Sequence, residues 1–172
     1  RPGIASTEAL IRKIRGAVPG VTLRTTLIAG FPGETEGEFE ELCGFVRENR
    51  FERLGCFAYS QEEGTAAAGL PDQISEEERR RRAELVSEIQ MGIMLEQNEA
   101  LRGRTLRVLT EGFDSEEKLC WGRSAMDAPD IDGRVWFSAE KRPEPGRFVD
   151  VRITGCIDGD PVGEAVERGD DR

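Results

Sequence analysis

The chain has 172 residues, with 34 acidic and 24 basic side chains and no histidine, for a net charge of −10. That length holds one domain, or a partial domain plus a small one. The acidity disfavours a phosphate backbone and favours a basic protein segment as partner, and the missing histidine excludes His-based triads and His-bearing zinc sites.

Leu10, Ile11, Ile14 and Val18 recur at helical spacing over about residues 6–17, and Pro19-Gly20 ends that helix. Residues 21–29 (VTLRTTLIA) are β-branched and apolar and predict a buried strand. Gly30-Phe31-Pro32-Gly33 breaks it, and Thr35 with Glu38 has the spacing of a capping box for a second helix. Phe39, Leu42, Cys43 and Val46 share one face of that helix. Residues 53–59 (RLGCFAY) predict a second strand, followed by a loop over 60–74. Ser75 and Glu78 repeat the capping-box spacing at the start of the longest helix, which runs to about Arg102 with Val86, Ile89 and Ile93 as its apolar stripe. The basic run 79–82 points around that helix at ~100° steps. It is expected to form a solvated face, with Glu78 and Arg82 as an i,i+4 pair.

After Gly103 the texture changes. Short alternating segments at 105–109, 118–123, 134–137, 148–153 and 162–166 are separated by Gly, Asp and Pro turns. They predict a small five-stranded antiparallel barrel. The expected organisation is therefore the end of an α/β domain over 1–74, a long helix over 75–102, a β-barrel over 103–168 and a disordered tail over 169–172. Two parallel strands cannot close a barrel or cover their own edges. The missing strands are expected from sequence upstream, which suits a chain that starts at Arg1-Pro2. No apolar run approaches ~18 residues, so neither a transmembrane helix nor a signal peptide is expected.

Cys43, Cys56, Cys120 and Cys156 lie 13, 64 and 36 residues apart, which is neither a disulfide framework nor a metal knuckle. Reduced cytoplasmic thiols are the expectation. Two segments have the form of ligand-bearing strand ends. In RTTLIAGFPGET (24–35) glycines let backbone approach a ligand at the carboxyl end of a strand, and the next helix start offers N–H groups to an anion. In GCFAYSQEEGTAA (55–67) Phe57 and Tyr59 fall on one strand face, where they would wall a flat ring or fill a core. From the glycines alone, a plain strand–helix turn is the better account of the first segment.

These two segments, with AGLPDQI after the second, resemble the end of the radical S-adenosylmethionine domain of the methylthiotransferases. In that family a long helix leads into a TRAM domain, a five-stranded barrel, and the resemblance runs from about residue 4 to 167. The segment GRSAMDAPDIDG (122–133) resembles the signature of the branch that methylthiolates the β-carbon of an aspartate in a small-subunit ribosomal protein, with Asp130 where Glu is usual. The resemblance implies S-adenosylmethionine and two 4Fe-4S clusters as cofactors. One cluster is held by a C-x-x-x-C-x-x-C motif that none of the four cysteines here can form. By resemblance, all cluster ligands lie upstream and outside this chain, which is expected to hold no catalytic residue and to be inactive alone. By resemblance Ile28, Gly30, Phe31, Gly33 and Glu34 sit on the adenine side of the cofactor pocket, with Phe57 and Tyr59 on the next strand.

TRAM domains often bind RNA, which calls for basic grooves and stacking aromatics. Between Gly103 and Glu167 nine basic residues face fourteen acidic ones, a net of −5, and Trp121, Trp136 and Phe137 are the candidate stackers. The acidic barrel suits a basic ribosomal protein better than RNA. Arg123, Asp127, Asp130 and Asp132 are the docking candidates, although Asp also favours turns around Ala-Pro. The expected protein is a cytoplasmic monomer without membrane or direct RNA contact. A tRNA methylthiotransferase with an RNA-binding barrel and a stand-alone binding module remain the alternatives.

Overall fold

A computed structural model describes residues 3–166. The expectations for the chain start and for the tail over 169–172 lie outside the described residues. The chain divides into two compact units, Arg1–Ile93 and Met94–Arg172. The longest helix passes from the first into the second.

The first unit contains α1 (Ile4–Ala17), β1 (Arg24–Ala29), α2 (Glu36–Asn49), β2 (Arg53–Ala58), a short 3-10 turn (Ala66–Gly69) and most of α3 (Glu76–Glu99). β1 and β2 pair in parallel from Arg24↔Arg53 to Ala29↔Ala58, with α2 as the crossover that a parallel pair requires. Leu27, Leu54 and Cys56 pack against a core of Phe39, Cys43, Val46, Phe51, Val86 and Ile93. The alternate strand positions carry Ile28 and Phe57, register partners that are 56% and 65% exposed. The strand predicted as buried therefore covers only one face, because all the helical packing falls on the side of Leu27 and Cys56. It also starts at Arg24 rather than Val21.

Local chemistry fixes the ends of α2. Thr35 Oγ1 accepts from the Glu38 amide at 3.2 Å, and Glu38 returns a carboxylate to the Thr35 amide at 2.8 Å, completing the expected capping box. Such a cap contributes ~1 kcal/mol. At the other end Arg50 turns left-handed (φ 45°) and its amide bonds Val46 O at 3.0 Å. Arg15 of α1 donates to the carbonyls of Asn49 (2.6 Å) and Arg50 (3.0 Å), placing a cation at the negative end of α2. Gln90 of α3 donates to Phe51 O at 2.8 Å and ties the helix to the start of β2.

The second unit is a closed barrel in the order β3-β4-β5-β7-β6, built from β3 (Thr105–Asp114), β4 (Leu119–Arg123), β5 (Val135–Ser138), β6 (Phe148–Ile157) and β7 (Asp160–Val166). The five strands stand where the alternation predicts them. The expected wholly antiparallel pairing is corrected at one place: β5 and β7 run parallel, so the barrel is mixed. The tight Asp158-Gly159 turn, left-handed at both residues, folds β7 back on β6. That places β7 between β6 and β5, and the last seam closes with β5 and β7 in the same direction. Closure removes free sheet edges. Val108, Cys120, Val135, Phe137, Val151 and Ile153 fill the interior with Leu101. Phe137 is fully buried, so it belongs to the core and is not a base-stacking ring. Among the described residues no helix is long and apolar enough to cross a membrane.

Candidate functional site

The carboxyl end of β1 runs into the 30–34 turn. Gly30 is left-handed (φ +77°), and a Cβ there would lie 2.5 Å from Arg79 Cγ, so only glycine lets α3 approach this closely. The Glu34 amide bonds Phe31 O at 2.9 Å and the Gly33 amide bonds Asp72 O at 3.0 Å. Glu34 Oε1 accepts from the Gly30 amide at 3.0 Å, so the carboxylate closes its own turn. The Thr35 amide is taken by Glu38. The amides of Gly30, Gly33, Glu34 and Thr35 thus all donate within the protein, and Pro32 has none to give. Glu36 and Glu38 add negative charge to the helix start that was expected to offer its amides to an anion.

Two arginines of α3 hold this turn. Arg82 Nη1 donates to Glu34 Oε1 at 2.8 Å and to the Glu34 carbonyl at 2.9 Å. Its Nη2 reaches Glu36 at 3.0 Å and its Nε reaches Glu78 at 2.8 Å, while the guanidinium lies 5.1 Å from the Phe39 ring centroid. The Arg82 side chain is only 7% exposed and Glu34 only 14%. Burial works against the Arg82 charge, but the bonds to Glu34 and Glu78 outweigh it and raise its pKa. One turn earlier, Arg79 Nη1 donates to Tyr59 O at 2.9 Å, and its guanidinium lies 5.5 Å from the Tyr59 ring centroid.

The solvated-face expectation for 79–82 is therefore wrong for two of its four members. Residues three apart share a helix face, and the face of Arg79 and Arg82 turns inward. Arg80 and Arg81 remain largely exposed, with Arg80 paired to Glu76. The expected Glu78–Arg82 pair is present. At the start of α3 the Ser75 hydroxyl accepts from the Glu78 amide at 3.3 Å, as the predicted capping box requires. The Glu78 carboxylate, though, is drawn to Arg81 and Arg82, whose bonds pull its pKa down to about 2. Arg79 and Arg82 were missed as site residues. Their signal was the i,i+3 spacing inside the run, set opposite the acids at 34 and 36.

Tyr59 lies one residue beyond β2 and is buried, with the Phe31 ring against it edge-on at 5.3 Å. It does not share a wall with Phe57, which stands exposed beside Ile28; the strand ends at Ala58 and alternation no longer governs Tyr59. The structure thus gathers Gly30, Phe31, Gly33, Glu34 and Tyr59 at the strand ends, and sets Ile28 and Phe57 apart as an apolar pair on the open sheet face. Among the described residues the Tyr59 hydroxyl is buried without a hydrogen-bond partner.

In the barrel, Arg123 Nε bonds Glu111 at 2.6 Å across β3 and β4. Asp127 accepts from the Ser124 amide (2.9 Å) and hydroxyl (2.7 Å), and Asp132 accepts from the Ala128 amide at 2.6 Å. Both carboxylates brace the 124–133 loop. Asp130 is exposed at a left-handed position (φ 60°), beside Ile131, which is 74% exposed. A Cβ on Gly133 would meet Asp160 Oδ1 at 2.1 Å, so Asp160 packs directly against the end of this loop. Burial raises the Asp160 pKa. Arg134 lies over Trp121 at 4.4 Å and Trp136 at 5.3 Å, both rings outside the core.

All four cysteines are free. Burial raises each thiol pKa, that of Cys56 to about 11, which keeps them protonated and unreactive. Among the described residues no group of three Cys, Asp or Glu side chains is placed to hold a metal ion.

The TRAM domain family matches residues 103–166, the barrel. Across nearly the whole chain the similarity is to proteins named ribosomal protein uS12 methylthiotransferase RimO. That of Desulforudis audaxviator is 50% identical over 147 residues, covering 86% of this chain and 32% of the relative. That of Geotalea uraniireducens is 45% identical over 167 residues, covering 96% and 37%. That of Syntrophotalea carbinolica is 42% identical over 172 residues, covering 99% and 38%. The chain spans less than two-fifths of the length of each of these three relatives. By sequence the chain is similar to one segment of the RimO-type methylthiotransferases, and residues 103–166 of it match the TRAM domain.

Proposed function

We propose that this chain is the part of a radical S-adenosylmethionine methylthiotransferase that forms one wall of the cofactor pocket and carries the substrate-docking domain. The proposed reaction is methylthiolation of an aspartate β-carbon in the small-subunit ribosomal protein uS12, in the cytoplasm. The observation that carries the reading is the 30–34 turn, locked from behind by α3 at the carboxyl end of β1, where sheets of this kind bind ligands.

The residues fit S-adenosylmethionine in two ways. Ile28, Phe31 and Phe57 offer exposed apolar surface to a flat ring. The orphaned Tyr59 hydroxyl is a buried polar group awaiting a partner. The turn would serve mainly by shape and apolar contact, since the amides of Gly30, Gly33, Glu34 and Thr35 are already engaged. When bound, S-adenosylmethionine would supply the radical that opens the reaction. The two 4Fe-4S clusters do not fit the protonated, separated thiols here. Their ligands would lie outside this chain, which alone is expected to be inactive.

The barrel, net negative, would receive the basic uS12 protein through the 124–133 loop. Asp130 and Ile131 would face the partner, Asp127 and Asp132 would hold the loop in shape, and Arg123 would keep its strand in place through Glu111. One observation favours the tRNA reading: Arg107, Arg134 and Arg142 each lie over an aromatic ring, as in base-stacking surfaces. Binding to uS12 and to tRNA across a salt series separates the two. Tight binding to uS12 with weak tRNA binding supports the proposal. Tight, salt-sensitive tRNA binding contradicts it.

A further inference from the structure

We propose that Arg79 and Arg82 are positioning residues that fix both strand-end segments of the cofactor wall, so that α3 sets the shape of a pocket it does not itself line. The proposal rests on the reading of that wall as an S-adenosylmethionine site.

Each arginine serves one strand. Arg82 holds the segment after β1 through the Glu34 carboxylate and carbonyl, and the same carboxylate oxygen receives the Gly30 amide. Arg79 holds the segment after β2 through the Tyr59 carbonyl and ring. The aliphatic stem of Arg79 also fills the space that Gly30 leaves open. Phe31 then joins the two segments by packing its ring edge on Tyr59 at 5.3 Å. A ring that contacts ligand from the 30–34 turn has its position decided one layer back, by two guanidinium groups one helical turn apart.

The burial explains why arginine is used. Arg82 satisfies three carboxylates and a carbonyl at once. A lysine ammonium has no planar fork to span them. The neighbours on the same helix provide a built-in control, because Arg80 pairs with Glu76 at the exposed surface.

The test uses hydrogen exchange on this chain and kinetics on the longer methylthiotransferase that contains it. In R82M the amides of Gly30, Gly33 and Glu34 are expected to exchange about tenfold faster or more, with α1 and β2 amides unchanged. R82K is expected to fall between, and R80M to match wild type. In the longer enzyme R82M is expected to raise the KM for S-adenosylmethionine about tenfold, with a smaller change in kcat and cluster content unaltered. Should R82M fail to fold, E34Q, which weakens the same contact without opening a cavity, is read in its place. Unchanged exchange at 30–34, or an unchanged KM, in a folded variant overturns the proposal. Failure of the wild-type enzyme to cleave S-adenosylmethionine would instead overturn the functional reading and leave the exchange result standing.

Discussion

Glu34 Oε1 and Arg82 Nη1 lie 2.8 Å apart although 48 residues separate them, and both side chains are nearly buried. Removing Arg82 leaves the Glu34 carboxylate nearly buried with the Gly30 amide as its remaining donor, at a cost of up to about 3–5 kcal/mol, whereas removing the Glu34 charge costs less because Arg82 keeps Glu36 and Glu78. R82M and E34Q are therefore expected to lower the denaturation midpoint of the first unit, and the double variant to lose less than the sum. Chemical denaturation of the four proteins of that cycle, followed by a probe in the first unit, measures the coupling.

The Glu78 carboxyl is held down at about 2 from its ordinary 4.5 by Arg81 first and Arg82 second. A lowered carboxyl pKa contributes stability that is present above the unfolded value and is lost as pH falls through the folded one. The first unit is thus expected to weaken progressively from about pH 4.5 to pH 2. E78Q removes that part of the acid sensitivity. Identical acid unfolding of E78Q and wild type would contradict the assignment.

Ile28 and Phe57 face each other across two strands with their side chains in the open. Replacing both by serine is expected to change the stability of this chain by no more than about 0.5 kcal/mol per site. It should also reduce dye binding to exposed apolar surface and self-association. In the longer enzyme the same change is expected to raise the KM for S-adenosylmethionine. A large loss of stability in the chain would place these side chains in its core and remove them from the proposed wall.

In the barrel loop the carboxylates are expected to separate by role. D127A removes an acceptor from two Ser124 donors and should cost about 1–2 kcal/mol of barrel stability. D130A, at an exposed position, should leave stability nearly unchanged and weaken binding to uS12. Thermal melts beside binding curves distinguish them. Equal effects of the two on both measurements would contradict the division.

The helix–strand order of the first unit and the five barrel strands were legible because periodicity and turn chemistry are local. The Thr35–Glu38 box and the glycine breaks at 30, 33 and 103 mark their own positions. The direction in which an amphipathic residue turns is not local. Arg79 and Arg82 carried the correct spacing, yet only the packing of α3 on the 30–34 turn makes their face an inner one. Tyr59 failed for a related reason: strand alternation extends only as far as the strand, and β2 ends at Ala58. The parallel β5–β7 seam depends on how the barrel closes, which no single segment encodes. In the 122–133 motif the sequence resemblance marked the loop, while hydrogen bonds separate its braces, Asp127 and Asp132, from its exposed tip at Asp130 and Ile131.

The central claim is tested most directly by mass spectrometry of uS12 incubated with the longer, cluster-reconstituted enzyme and S-adenosylmethionine under anaerobic conditions. The account expects a methylthio group on the β-carbon of one aspartate, and none when this 172-residue chain is used alone. An unmodified uS12 alongside a methylthiolated tRNA would contradict it.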